Sequence, residues 1–147
     1  VVITADHGEE FNDNGLGYWG HASNFSIYQT HVPMIVAWPK QGLRYFNYQT
    51  THYDVVPFFM QNALGCKSPA TTYSVGTSLV TTQQAPFFII NSYIDYGIVT
   101  PNEVTRIYPQ GNIGIKTRTG KSLPNAKPDV HLIQQSMEQL NYFFKSH

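Results

Sequence analysis

The sequence predicts an α/β fold in which a short sheet segment is followed by a small antiparallel meander packed against a C-terminal helix. Three observations predict it. Two continuous apolar runs, 1–5 and 33–38, are typical of buried strands. Shorter runs between residues 87 and 117 are separated by turn residues, as in a meander. Apolar residues then recur at helical spacing over 129–144.

Composition places the chain among globular domains. It has 147 residues, of which 41% are hydrophobic and 12% charged. Disordered, collagenous and coiled-coil proteins all have far more biased compositions, so these classes are excluded. Nine Lys and Arg residues balance nine Asp and Glu residues. Without a net positive field to attract a phosphate backbone, we expect no nucleic-acid partner.

The first apolar run, residues 1–5 (VVITA), ends directly on Asp6 and His7. It is therefore predicted to be an interior strand that delivers polar side chains at its carboxyl end. Residues 8–31 are rich in Gly and Asn and predict a long loop, with one turn of helix within 23–29. Because the second apolar run has the same character, we expect the two strands to belong to a parallel sheet.

The middle of the chain contains one helix, predicted over 51–64 and ended by Gly65. Pro57 lies near its beginning, where it should delay the start of the helix or kink it. Residues 66–85 are rich in Ser and Thr and predict irregular structure.

The last part predicts a four-stranded meander with strands over 87–90, 93–100, 104–108 and 113–117. The turn at 109–112 separates the last two. The closing helix, 129–144, should lie across this meander. We therefore divide the chain into 1–85, an α/β part, and 86–147, an antiparallel subdomain with a helix.

The charges indicate a metal site. The first 39 residues contain four acidic residues and no Lys or Arg, which gives this segment a net charge of −4. The acidic residues are Asp6, Glu9, Glu10 and Asp13. Such a cluster repels itself unless a cation, or basic groups from elsewhere in the chain, neutralises it.

Ligands of α/β sheets bind beyond the carboxyl ends of the strands, which is where Asp6 and His7 are predicted to lie. Gly8 should allow the backbone to turn away sharply, so that both side chains reach one ion. A carboxylate and an imidazole suit Zn²⁺ or Mn²⁺ better than Ca²⁺. Glu9 and His21 could serve a second ion or the substrate. The alternative is structural, with Asp6 and His7 forming a hydrogen-bonded couple and His21 an ordinary loop histidine.

Several segments resemble the C-terminal part of the sulfatase and alkaline-phosphatase superfamily, which includes phosphoethanolamine transferases and lipoteichoic acid synthases. These are ADHGEEFNDNG, GYWGH, QTHVPMIVAWP and TTHYDVVPFFMQNALG. The tail, with VTPNEVTRIYPQGNIGI, is most similar to the periplasmic domain of sulfatase-like inner-membrane proteins. The resemblance covers nearly the whole chain and implies that 1–85 contains a partial alkaline-phosphatase-like sheet.

The resemblance also implies roles for individual residues. Asp6 and His7 match the paired metal ligands of the family. His21 matches a catalytic histidine that contacts the transferring group or a second metal, and Glu9 matches an acidic residue at the same site. No residue of this chain matches the nucleophile, which in the family is a Thr, a Ser or a Cys-derived formylglycine upstream of this strand.

Four further residues are interpreted separately. His31 belongs to a segment that enters a core strand, and Asp54 with Pro57 matches the start of a helix; we interpret these as structural. His52 is left open between a structural role at the helix start and a functional one.

The resemblance therefore implies a metal-dependent hydrolase or phosphotransferase that cleaves sulfate or phosphate esters, including lipid-linked ones. This chain alone should be inactive, because the nucleophile and the remaining ligands would come from the upstream part of the same protein. The alternative is a catalytically inactive, lipid-sensing regulatory domain. Either would be a periplasmic domain of a bacterial inner-membrane protein. No apolar run in this chain approaches the roughly 18 residues of a membrane span.

Overall fold

The structure, a computed structural model, describes residues 1–82 and 85–144. It contains two compact units. One comprises Val1–Gly42 and the chain from Phe87 onward, and the other is Leu43–Pro86. The α/β class is confirmed. The division into 1–85 and 86–147, which follows the character of the sequence rather than compactness, stays a prediction.

The first unit begins with short elements around a long loop. They are β1 (Val2–Thr4), β2 (Glu10–Phe11), β3 (Trp19–Gly20), α1 (Ile27–Thr30) and β4 (Met34–Val36). Strands β2 and β3 form a small antiparallel hairpin inside the loop. The predicted turn of helix within 23–29 is confirmed by α1, which extends to Thr30.

The expected parallel pairing of the two apolar strands is wrong. Strands β1 and β4 pair antiparallel, with Val2 opposite Val36 and Thr4 opposite Met34. Among the described residues they form a two-stranded sheet, and the side chains of Ile3 and Ile35 are more than half exposed. A continuous apolar run indicates that a strand can be buried on both faces, but it carries no information on strand direction.

In the second unit a 3₁₀ turn, His52–Asp54, leads into α2, Val55–Asn62. Thr51 and Asp54 form a capping box, in which Thr51 N donates to Asp54 Oδ2 over 2.7 Å. The α-helix thus starts later than residue 51, as predicted from Pro57, which occupies its first turn. Gly65 follows with φ 64°, a left-handed conformation that ends the helix as predicted. Residues 66–82 contain one further 3₁₀ turn, Ala70–Thr72.

The predicted meander is confirmed. Its strands are β5 (Phe88–Asn91), β6 (Tyr96–Val99), β7 (Glu103–Ile107) and β8 (Ile113–Thr117), paired antiparallel in that order. The interior of the unit is built on the central strands, where Ile98, Val99 and Val104 are at most 2% exposed. Burial of such side chains is worth roughly 1.5–3 kcal/mol each, which makes the meander the stable base of this unit.

The closing helix, α3, runs over Val130–Leu140 and is followed by a 3₁₀ turn, Tyr142–Phe144. Asp129 caps it by accepting a hydrogen bond from Leu132 N over 3.0 Å. Leu132 and Ile133 pack against a cluster on the meander. The cluster consists of Phe87, Ile89 and Ile98. The predicted packing of the helix across the meander is therefore confirmed. None of the helices within 1–82 and 85–144 has the length and apolarity needed to cross a membrane.

The meander also holds the long loop. Asn14 Nδ2 donates to the carbonyl oxygen of Thr119 over 2.7 Å, just after β8. Ile27 N donates to the carbonyl oxygen of Arg118 over 2.7 Å. The loop between β1 and β4 is thus attached to the turn that follows β8.

Candidate metal-binding site

The β2–β3 hairpin brings Glu9 and His21 together. Glu10 lies opposite Gly20 in its register, so Glu9 and His21 continue the two strands side by side. Because side chains alternate between the faces of a strand, both point to the face opposite that of the buried Glu10. Glu9 Oε2 lies 3.0 Å from His21 Nδ1. The contact between Glu9 and His21 therefore follows directly from the register of β2 and β3.

His7 completes a cluster with this pair. Its ring stacks on that of His21, with the ring centroids 4.0 Å apart and an interplanar angle of 26°. One potential ligand atom from each of His7, Glu9 and His21 lies within 4.8 Å of the others. The three side chains are 42–45% exposed, so an ion from solvent could reach them.

The backbone around Gly8 orients His7. His7 Nδ1 lies 3.1 Å from the carbonyl oxygen of Gly8. A proton on Nδ1 would donate to this carbonyl and leave Nε2 free to act as a ligand, an arrangement common among metal-binding histidines. Gly8 N donates to the carbonyl oxygen of Gln29 over 2.8 Å. A Cβ atom at Gly8 would lie 2.2 Å from the carbonyl oxygen of Tyr28, so only glycine fits.

Asp6 lies at the edge of the cluster. Its carboxylate oxygen Oδ2 is 3.7 Å from His7 Nε2, and Oδ1 accepts a hydrogen bond from His7 N over 3.1 Å. The side chain is 91% exposed and does not belong to the compact three-residue group. Asp6 and His7 are therefore neighbours, as expected, but their joint role as metal ligands stays a prediction.

Glu10 holds the loop together through hydrogen bonds, a role that the sequence analysis does not predict. Its side chain is completely buried, and its carboxylate accepts three hydrogen bonds from neutral groups. Asn14 Nδ2 and Ser26 Oγ donate over 2.8 and 2.9 Å, and Gln29 Nε2 donates over 2.7 Å. The available signal was a carboxylate followed by several amide and hydroxyl residues in a loop without Lys or Arg. A buried charge without a cation must be satisfied by such donors.

The acidic cluster therefore has two kinds of member. Glu10 is satisfied internally, and Asp13 accepts a hydrogen bond from Phe11 N over 2.8 Å. Asp6 and Glu9 are the two whose carboxylates lie beside histidines. The expectation that the cluster needs a cation or basic groups is too broad for Glu10 and Asp13, because amide and hydroxyl donors hold their carboxylates.

The other predicted residues lie elsewhere. His31 follows α1 directly and leads into β4, as the structural interpretation predicts. Asp54 belongs to the second unit, where its carboxylate accepts hydrogen bonds from Thr51 N and Thr77 N over 2.7 and 2.8 Å. Its structural role is thereby supported. His52 occupies the 3₁₀ turn before α2, and its function stays open.

The chemistry of the cluster fits a transition metal. Two imidazoles and one carboxylate are ligands typical of Zn²⁺ and Mn²⁺, whereas Ca²⁺ takes oxygen ligands. Three protein ligands also leave a coordination position for substrate or water. The cluster therefore has the donor types and the proximity with which side chains could hold a divalent ion.

Comparison with known proteins agrees with the resemblance predicted from the sequence. Residues 1–66 match the model of the Sulfatase family. The chain is 25% identical over 146 residues to the inner membrane protein YejM of Salmonella typhimurium strain LT2, and equally so to YejM of Salmonella typhi. Each alignment covers 97% of this chain and 24% of the relative. The predicted resemblance to sulfatase-like inner-membrane proteins is confirmed. The chain spans about a quarter of the length of the curated relatives it matches.

Proposed function

Because residues 1–66 match the Sulfatase family and the chain is similar to YejM along 97% of its length, we propose that it contributes to the metal centre of a sulfatase-like hydrolase or transferase. The substrates would be sulfate or phosphate esters, including lipid-linked ones. The observation that carries this proposal is the convergence of His7 and Glu9, which follow β1, with His21, which lies 12 residues beyond Glu9 and after β3. We place the domain on the periplasmic side of the inner membrane, which extends the inner-membrane description of the relatives.

His7, Glu9 and His21 would hold the ion, with Asp6 as a further ligand at the edge. A bound divalent cation would supply positive charge to the nonbridging oxygens of the ester and lower the pKa of an attacking hydroxyl group. Within this chain, the Gly8 carbonyl orients the His7 ring. The Glu9 carboxylate orients the His21 ring. With its Nδ1 beside Glu9, the His21 ring has one nitrogen left, Nε2, with which to hold the ion.

The nucleophile is proposed to come from the rest of the protein. Enzymes of this chemistry pass the group through a covalent intermediate on a hydroxyl-bearing residue. The role of this chain is then to present part of the metal site. It follows that the chain alone should bind metal more weakly than the complete protein and should not turn over substrate.

The test is the metal content and activity of the complete protein. We expect His7→Ala, His21→Ala and Asp6→Ala each to lower both bound metal, measured by elemental analysis, and hydrolysis of 4-nitrophenyl sulfate or 4-nitrophenyl phosphate. The matched control is His131→Ala, which removes an exposed histidine from α3. Unchanged metal content in the His7 and His21 variants would contradict the proposal.

A second candidate function is a lipid-sensing regulatory domain without catalysis. It is favoured by the direct contact of Glu9 with His21 over 3.0 Å, since the two side chains can satisfy each other without an ion. If the intact protein contained no metal but bound lipid vesicles, this function would be favoured over the enzymatic one.

A further inference from the structure

The segment that carries His21 has an unfavourable backbone. Ala22 and Phe25 have φ angles of 55° and 58°, in the left-handed region that side chains with a Cβ atom rarely adopt, and Gly20 has φ 91°. Such conformations persist only when the surroundings determine them, and they are concentrated at functional sites. Some other part of the unit must therefore hold residues 20–25 in place.

Arg106 of β7 is one such anchor. Its Nη1 donates to the carbonyl oxygen of Ser23 over 2.8 Å. Its Nε forms an ion pair with Asp95, which also accepts a hydrogen bond from Ser92 Oγ. The side chain of Asp95 is completely buried, and that of Arg106 is 13% exposed. A planar guanidinium bonded at two positions has little freedom to shift, so the Ser23 carbonyl is held at a defined place.

Phe25 fixes the far end of the same segment. It is 3% exposed and belongs to a core cluster with Val99 and Val104 of the meander. The guanidinium carbon of Arg106 lies 5.1 Å from the centroid of the Phe25 ring, within cation–π range. A Cβ atom at Gly97 would come within 2.9 Å of that ring. Arg106 therefore contacts the segment twice, through a backbone carbonyl and through a buried ring.

Gln29 holds Ser23 from the other side. Gln29 Oε1 accepts from Ser23 N over 3.1 Å, and Gln29 Nε2 donates to Ser23 Oγ over 2.8 Å. Ser23 lies two residues after His21. A displacement of the Ser23 backbone would therefore be transmitted to His21 through a single residue, Ala22, whose conformation is already unfavourable.

We propose that Arg106, with its buried partner Asp95, is a positioning residue for His21: it holds the Ser23 carbonyl so that the His21 ring stays stacked on His7 and beside Glu9. This inference rests on the proposed function for its consequence, metal binding, but its structural content is independent of any ion. The meander then contributes to the candidate metal site by positioning one of its ligands.

The experiment uses the full chain and two measurements. The first, without metal, is the nuclear Overhauser effect between the ring protons of His7 and His21. The second is the affinity for Zn²⁺ by calorimetric titration. Because Arg106→Gln alone would leave the Asp95 carboxylate buried and unpaired, the main variant is the double substitution Asp95→Asn with Arg106→Gln. Arg106→Lys is a second variant, since an ammonium keeps the charge but lacks the fork that bonds Asp95 and Ser23 together.

The matched control is Arg118→Gln. Arg118 also lies at the meander, with its guanidinium carbon 5.7 Å from the Phe88 ring centroid and its Nη1 donating to the Thr100 carbonyl oxygen over 3.2 Å. We expect both Arg106 variants to lose the His7–His21 ring signal and to bind Zn²⁺ at least about tenfold more weakly, as substitutions behind metal ligands commonly do. The control should keep the signal and bind within about twofold of wild type.

The outcomes separate the inference from the proposed function. If neither the wild-type chain nor any variant binds Zn²⁺, but the Arg106 variants lose the ring signal, the inference is supported and the proposed function is contradicted. Retention of both the signal and the Zn²⁺ affinity in folded Arg106→Lys or in the double variant would overturn the inference. Equal losses in the Arg118 control would also overturn it, because the effect would then be one of general stability. Absence of the His7–His21 ring signal from the wild-type chain would also overturn the inference.

Discussion

Gln29 donates a hydrogen bond to Glu10 over 2.7 Å, and both side chains are buried. This contact joins the start of the long loop to α1, near its end. Ser26 and Asn14 donate to the same carboxylate. One buried acidic group thus fastens the loop on whose outer face Glu9 and His21 meet.

Substitution of Glu10 should unfold this loop. Glu10→Ala leaves three donors without their acceptor, and hydrogen bonds to a charged group are worth about 1.5–3 kcal/mol each. We expect the free energy of unfolding to fall by about 3 kcal/mol or more, measured by urea denaturation. The control is Glu138→Ala, which removes an exposed glutamate from α3 and should cost less than about 0.5 kcal/mol. Equal effects of the two substitutions would contradict the role assigned to Glu10.

Gly8 is required by space rather than by an unusual backbone angle. Gly8→Ala would place a Cβ atom 2.2 Å from the Tyr28 carbonyl oxygen, a backbone atom that cannot move aside easily. We expect a loss of about 2 kcal/mol or more in the free energy of unfolding, together with displacement of the adjacent His7. Gly42→Ala is the control, because a Cβ atom there has nothing within 4 Å. It should be neutral or slightly stabilising. A Gly8→Ala protein as stable as the control would show that the close approach is not maintained in solution.

The donor set predicts the choice of metal. Two imidazole nitrogens and one carboxylate should favour Zn²⁺ or Mn²⁺ over Ca²⁺, because Ca²⁺ prefers a shell of oxygen atoms. Titration of the metal-free chain should give a dissociation constant for Zn²⁺ at least about tenfold lower than that for Ca²⁺. Replacing one imidazole with a carboxylate, as in His21→Asp, should reduce this preference. Tighter binding of Ca²⁺ by the unchanged chain would refute the assigned ligands.

Partial desolvation gives Tyr53, which is 40% exposed, a small effect on stability at alkaline pH. Desolvation raises the pKa of the Tyr53 hydroxyl above its ordinary value of 10.0. Above about pH 10 the unfolded chain therefore releases this proton more readily than the folded one, so stability falls as the pH rises through the folded-state pKa. Below the ordinary value the contribution is fully present.

Tyr53→Phe should accordingly lose less stability than wild type between about pH 9 and pH 11, when urea denaturation is compared at the two ends. Tyr93→Phe is the control, since the Tyr93 side chain is 90% exposed and should leave the wild-type pH dependence unchanged. Parallel pH dependence in wild type and Tyr53→Phe would contradict the effect of burial.

Local patterns predicted the elements well. The meander, α2 and α3 follow from turn residues, helical spacing and the position of Pro57, all of which act over a few neighbouring residues. The direction of β4 relative to β1 was predicted wrongly, because an apolar run has the same composition whichever way its partner runs. His7, Glu9 and His21 could be identified as candidates because their residue types are unusual after a strand, but their mutual distances could not.

The sequence by itself determined which residues can carry chemistry and which segments are strands or helices, since both depend on side-chain type and short-range order. Only the tertiary structure decided how they are used. In the sequence Glu10 is one of four acidic residues, but in the structure it is a buried acceptor of hydrogen bonds that hold the loop. The structure also shows that Arg106 of the meander donates to Ser23 beside the candidate site. The physical reason is that the free energy of a charged group depends on the donors around it, and those donors come from distant parts of the chain.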